Sequence, residues 1–141
     1  MACESLVNAA TVGDDRASGR AKTLLVVEDN VLVRHAVAEA LRGAGYSVLE
    51  ASSVDEAKAI LAAVPIDLLF LDLNMPAEGE GFAVAQLARA RHPNAPVIFT
   101  SARVPHWLAP RLKDIGPLVR KPYLISKLLK LVRKSLNEKS E

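Results

Sequence analysis

A chain of 141 residues, half of them hydrophobic, can bury one core and is too short for several domains. A lone cysteine, Cys3, excludes an internal disulfide, no Cys/His spacing fits a zinc site, and no run approaches the ~18 apolar residues of a membrane span. The net charge of +2 hides an asymmetry, because residues 1–110 carry 9 Lys/Arg against 13 Asp/Glu while residues 111–141 carry 9 against 3.

The basic end admits two readings: a surface for an acidic partner or nucleic acid, or a solvated last helix whose cations suit its own macrodipole. The second is preferred. Residues 1–22 lack an apolar segment of signal-peptide length and read as a flexible tail. With the single cysteine, this points to a reducing, cytoplasmic setting.

Thr23-Leu-Leu-Val-Val27 is a short apolar run of the kind buried on both faces of a sheet, and it ends at Glu28-Asp29. Asn30 can cap the helix that follows, in which Val33, Ala36, Val37, Ala40 and Leu41 repeat at helical steps until Gly43 and Gly45. Tyr46 to Glu50 reads as a second strand. Ser53 and Glu56 have the spacing of a capping box, and Ala57, Ile60, Leu61 and Val64 form the apolar stripe of a second helix. Asp67 to Leu71 is a third strand delivering Asp72, followed by a loop from Asn74-Met-Pro76 to Gly81. A third helix is expected from Phe82 to Arg91, with Phe82, Val84, Ala85 and Leu87 as core candidates. Val97 to Thr100 is a fourth strand reaching Ser101-Ala102. Pro105 and Pro110 then allow only a short or distorted helix before a brief strand at Leu118–Arg120. A last helix, from Leu124 to Asn137, buries Ile125, Leu128, Leu129, Val132 and Leu136.

Five strands alternating with five helices predict an α/β fold with a parallel sheet covered on both faces. Parallel strands share one carboxyl edge, where open sheets of this class place their ligands. That edge receives Glu28-Asp29, Asp72, Ser101 and Lys121. Crowded carboxylates need a compensating cation, and a hard ion with oxygen ligands such as Mg²⁺ suits them. Lys121 adds a point charge for a phosphoryl oxygen and Ser101 a hydroxyl donor. Together they describe an aspartate nucleophile in a charge-neutralising shell.

These motifs, in this order, resemble the receiver domain of two-component response regulators over residues 23–137, leaving 1–22 and 138–141 as tails. The resemblance implies a flavodoxin-like, doubly wound sheet of order 2-1-3-4-5. It implies that Asp72 accepts a phosphoryl group from a histidine kinase or a histidine phosphotransfer protein. Glu28, Asp29 and Asp72 would hold Mg²⁺ together with the backbone carbonyl of Asn74. Lys121 and Ser101 would bind the phosphoryl group. Thr100 is the other possible switch hydroxyl, but the family usually sets this residue five after the proline, here Pro96, which favours Ser101. Asn74 and Arg103, two residues beyond the acceptor and the switch, would tune how long the phosphate lasts.

Two features depart from the family. Leu118 stands where receivers often carry an aromatic switch residue, and the stretch between Ser101 and Lys121 is short and holds Pro105, Pro110 and Pro117. The Pro-Val-Ile-Phe-Thr-Ser-Ala run and Lys-Pro-Tyr resemble a subgroup of alphaproteobacterial receivers, many of them stand-alone and chemotaxis-regulator-like. Only Asn137-Glu-Lys-Ser-Glu141 follows the last helix, so the expectation is a single-domain, non-enzymatic regulator. It would act on a protein target through the face formed by residues 103–134, without direct contact to nucleic acid or membrane. The competing readings are a phosphate-independent scaffold, a phosphate sink, and an aspartate-nucleophile phosphatase. The last needs an acid at position 74, where this chain has Asn74. His35, His92 and His106 read as ordinary surface or turn residues. Trp107 is either an exposed partner anchor or packing under a loop.

Overall fold

The computed structural model of the protein describes residues 20–75 and 80–138. Residues 1–19 of the tail expected over 1–22, the loop segment 76–79, and residues 139–141 of the tail expected over 138–141 lie outside this range. Five strands, β1 (Thr23–Val27), β2 (Ser47–Ala51), β3 (Leu68–Asp72), β4 (Val97–Ser101) and β5 (Leu118–Arg120), alternate with five helices. The helices are α1 (Val31–Gly43), α2 (Val54–Ala63), α3 (Phe82–Arg91), α4 (Ala109–Leu112) and α5 (Ile125–Ser135). All pairings are parallel, as the alternating pattern predicts, and the order is β2-β1-β3-β4-β5, as the family resemblance implies.

The three central strands lie under helices on both sides, which is why their sequences are continuous apolar runs rather than alternating ones. On one side Leu25, Leu69, Leu71 and Phe99 pack with α2, α3 and α4. On the other Leu24, Val26, Phe70 and Ile98 pack with α1 and α5. Each strand therefore divides its apolar side chains between two cores, and burying every residue of β3 and β4 fixes their register.

The local signals explain where the helices begin and end. The Asn30 side chain accepts the Val33 N–H at 3.0 Å, a cap worth about 1 kcal/mol. At the other end of α1, Gly45 adopts φ +104°, a left-handed turn that a side chain would resist, and β2 starts only after it. Tyr46 therefore stands outside the strand, buried against the α1–α5 core. Ser53 accepts the Glu56 N–H at 3.1 Å, but Glu56 reaches back to Ser52 rather than Ser53, bonding its N–H at 2.7 Å. Among the described residues no helix is long and apolar enough to cross a membrane.

Several core assignments shift by a position. Ala36 is exposed and Ala38 is buried, so the α1 stripe runs Val37, Ala38, Leu41. In α3 the fully buried place belongs to Ala88, with Leu87 only partly covered. Helix α5 spans Ile125–Ser135 rather than reaching Asn137; Leu128, Val132 and Leu136 are buried, whereas Ile125 and Leu129 are half-buried. Alanine and boundary residues carry too little hydrophobic contrast to set the phase of a helix, which tertiary packing then decides.

The proline-broken stretch forms only one four-residue helix, α4. Its chain returns to the sheet through Gly116, where a Cβ would lie 1.8 Å from the Val97 carbonyl oxygen. Trp107 is 57% exposed, so it does not pack under the loop.

Candidate phosphoacceptor site

The in-register pairing places the strand ends side by side: Val27 opposite Leu71, Asp72 opposite Thr100, and Ser101 opposite Arg120. The residues that close or follow these strands, Glu28-Asp29, Asp72, Ser101 and Lys121, therefore meet at one edge. Glu28 and Asp72 are buried and Asp29 is exposed. Each of the three offers a carboxylate oxygen, and these oxygens lie within 4.8 Å of one another.

Lys121 supplies the compensating charge. Its Nζ donates to Glu28 Oε1 at 3.0 Å and to Asp72 Oδ2 at 3.1 Å. Burial works against its ammonium form, yet the hydrogen bonds to both carboxylates hold its pKa above the ordinary lysine value. Burial pushes the Glu28 carboxyl above the ordinary carboxylate range and the Asp72 charge adds to this, while the Asn30 N–H and Lys121 pull the other way. Burial also raises the Tyr123 hydroxyl, with the Glu28 charge contributing.

The chain just after β3 is tied back to Asp72. The Asn74 N–H donates to Asp72 Oδ1 at 3.0 Å, which leaves the aspartate with a bond to each oxygen. The Asn74 side chain crosses to β4, where its Nδ2 donates to Ser101 Oγ at 2.7 Å and to the Arg103 carbonyl at 2.9 Å. Ser101 Oγ in turn donates to that carbonyl and accepts the Arg103 N–H at 3.0 Å. Thr100 is fully buried and its Oγ1 has no hydrogen-bond partner among the described residues. The two hydroxyls are thus distinguished by position: Ser101 joins the loop network at the site edge and Thr100 faces the core. Leu118 is half-buried at the start of β5, beside Phe99 on β4.

Two contributors escaped the sequence reading. Gly81 donates its N–H to the Leu73 carbonyl, and a Cβ there would sit 2.4 Å from the Asp72 carbonyl oxygen, so only glycine allows the chain to lie this close to the end of β3. A glycine at the end of the loop was the available signal. Arg34 donates to the Glu28 carbonyl at 3.1 Å and to Glu50 Oε1 at 3.1 Å. Nothing in its helical position distinguishes it from a solvent-facing charge. His92 Nε2 contacts the Leu61 carbonyl at 2.8 Å, and His35 and His106 are exposed, so none of the three joins the site.

Against known proteins, the family profile described as the response regulator receiver domain matches residues 24–133. The chain belongs to this family. It is 32% identical over 111 residues to the transcriptional regulatory protein PdtaR of Mycobacterium tuberculosis, covering 77% of this chain and 53% of that protein. The chain thus spans about half the length of that curated relative. Among solved structures, a response regulator receiver protein from Sinorhizobium medicae superposes with a TM-score of 0.76 at 26% identity, covering 83% of this chain and 95% of the other. A CheY-like receiver domain protein from Methanospirillum hungatei gives 0.77 at 21% identity, covering 83% and 94%, and shows the shared fold. Receiver domains are phosphoacceptors of two-component systems that typically use Mg²⁺. The donor set here, three carboxylates within reach of one another, fits a hard divalent cation with oxygen ligands.

Proposed function

We propose that Asp72 accepts a phosphoryl group from a histidine kinase or histidine phosphotransfer protein, and that the protein then signals through phosphorylation-dependent binding to another protein. The observation that carries this reading is the Lys121 ammonium shared between Glu28 and Asp72 at 3.0 and 3.1 Å, with Asp29 alongside. A lysine between two buried carboxylates keeps the aspartate in an environment where negative charge is accepted.

In this reading Glu28, Asp29, Asp72 and the Asn74 carbonyl would hold Mg²⁺, which would supply charge to neutralise phosphoryl oxygens. A carboxylate oxygen of Asp72 attacks phosphorus as the P–N bond to the donor imidazole breaks, and the leaving imidazole regains its lone pair. Lys121 binds a phosphoryl oxygen. Positioning and electrostatics carry such a transfer with little need for a separate base. Ser101 reaches the phosphoryl group by exchanging its bonds to Asn74 and Arg103 for one to the new oxygen. Asn74 and Arg103 then stand beside the group and set its lifetime. The face formed by residues 103–134, with Trp107, Lys127, Lys130 and Lys134 exposed, is the surface offered to the target.

The phosphatase reading loses support, because the residue two beyond Asp72 is an amide already bonded to Ser101 and Arg103. The scaffold reading draws on one observation, the four-residue α4 beside Leu118, which leaves the usual coupling part without its aromatic ring.

The test is treatment with acetyl phosphate, or with beryllofluoride and Mg²⁺. Wild type should gain one phosphoryl group by mass and a change in the fluorescence of Trp107, and Asp72→Asn should gain neither. An unmodified wild type refutes the acceptor role. Partner capture that is equal for wild type and Asp72→Asn, with or without phosphate mimic, favours the scaffold.

A further inference from the structure

Glu28 has every polar group engaged. Its N–H donates to Ala51 at 3.0 Å, and its carboxylate accepts from Asn30 N–H at 3.1 Å and from Lys121 at 3.0 Å. Its carbonyl accepts from Arg34 at 3.1 Å. That last bond differs from the others, because the Glu28 carbonyl belongs to the peptide plane joining Glu28 to Asp29. A peptide unit is rigid and planar, so fixing its oxygen fixes the direction in which the next residue leaves. Asp29, the exposed member of the carboxylate group, makes no side-chain hydrogen bond among the described residues and depends on that plane for its aim.

Arg34 can hold the plane because it is itself held. Its Nε donates to Glu50 Oε1 at 3.1 Å while a terminal nitrogen reaches the carbonyl, and its side chain is only 16% exposed. The Glu50 carboxylate, on β2, is braced by Arg42 of α1, which lies 3.1 Å from Oε2 and also donates to the Val48 carbonyl at 2.9 Å. A guanidinium can serve two acceptors from different nitrogens at once, which a lysine ammonium on a flexible stem does less rigidly.

We infer that Arg34, anchored on Glu50, is a positioning residue that aligns the Glu28–Asp29 pair for a divalent cation. The inference rests on the metal-site reading of Glu28, Asp29 and Asp72. It has an unusual consequence, since Arg34 is a cation close to a cation site. If it acted only through charge, removing it would tighten Mg²⁺ by relieving repulsion, and removing Glu50 would weaken Mg²⁺, with the two effects adding. Acting as a clamp, Arg34 strengthens Mg²⁺ binding despite its charge, and losing either partner releases the same peptide plane.

The experiment is calorimetric titration of Mg²⁺ into the full chain for wild type, Arg34→Gln, Arg34→Lys, Glu50→Gln and the Arg34→Gln/Glu50→Gln pair. Metal-free melting of each variant is recorded to confirm that it is folded. Supporting residues behind metal ligands commonly contribute tenfold or more, so Arg34→Gln and Glu50→Gln are each expected to weaken Mg²⁺ by about tenfold. The double variant should be no weaker than the worse single one, and Arg34→Lys, which keeps the charge, should fall between Gln and wild type. Equal or tighter Mg²⁺ binding by Arg34→Gln overturns the inference, as does full wild-type affinity in Arg34→Lys. Additive effects in the double variant overturn it too. A wild type that binds no Mg²⁺ overturns the metal-site reading and this inference with it. If Arg34→Gln is unfolded, Glu50→Gln and Arg34→Lys decide the matter on the same criteria.

Discussion

Replacing Thr100 by valine is expected to stabilise the protein while leaving its response to a phosphate mimic intact. Thr100 is fully buried on β4 between Asp72 and Val119, and its hydroxyl has no partner among the described residues. A buried hydroxyl without a hydrogen bond costs about 1–3 kcal/mol. Valine keeps the branched shape that suits a strand and removes the stranded oxygen, so the gain should be about 1–2 kcal/mol. For a domain of this size that is a rise of roughly 4–8 °C in Tm. Urea unfolding followed by circular dichroism should show a higher midpoint with an unchanged slope. In parallel, Trp107 fluorescence during titration with beryllofluoride and Mg²⁺ should respond in Thr100→Val as in wild type, and should lose its change in Ser101→Ala. The reasoning is refuted if Thr100→Val lowers stability, or if it abolishes the response while Ser101→Ala keeps it. The second outcome would make Thr100 the working hydroxyl.

Three further outcomes follow from the same structure. Gly116→Ala forces a Cβ to within 1.8 Å of the Val97 backbone oxygen and should cost about 3 kcal/mol, read as a lower urea midpoint. Lys121→Met leaves Glu28 and Asp72 facing each other without their shared cation. It should cost about 2 kcal/mol at neutral pH without Mg²⁺, a discounted figure because Lys121 is partly exposed. The Glu28 carboxyl is raised above its ordinary value of 4.5, so the folded state holds this proton more tightly than the unfolded chain. Its contribution to stability is complete below that value and is lost as pH rises through the raised one. Mg²⁺ requires the ionised form, so the rise in Tm on adding Mg²⁺ should be absent near pH 4.5 and grow as Glu28 ionises, measured by melting curves across pH.

The sheet was legible because each central strand is an unbroken apolar run, and a run of this type has one use in a chain of alternating elements. The acidic pair, Asp72 and Lys121 were legible for a related reason, since parallel strands must deliver their last residues to the same edge. Side chains that act sideways were not. Arg34 lies on α1 at a position where charge is unremarkable, and only the approach of β2 turns it toward Glu28 and Glu50. The Asn74 amide read as a residue near the acceptor, and its bonds to Ser101 and Arg103 depend on how β4 leaves the sheet. Ala38 takes the buried place expected of Ala36 because both are small, and the pattern could not say which faced the core.

The formal charges at the sheet edge explain why these indirect contacts matter. Glu28, Asp29 and Asp72 bring three negative charges and Lys121 returns one, leaving an excess of two on a group that is largely buried. A divalent cation would cancel this excess, and the proposed transfer of a phosphoryl group to Asp72 would then restore negative charge next to Lys121. Such a site works only while its carboxylates stay converged against their own repulsion, which is strong where water is excluded. Two of the carboxylate-bearing segments are accordingly held by a bond that the carboxylate side chain does not make: Glu28 through its carbonyl by Arg34, and the end of β3 through the Gly81 N–H donated to the Leu73 carbonyl. The acids supply the charge, and the neutral and basic neighbours keep it in place.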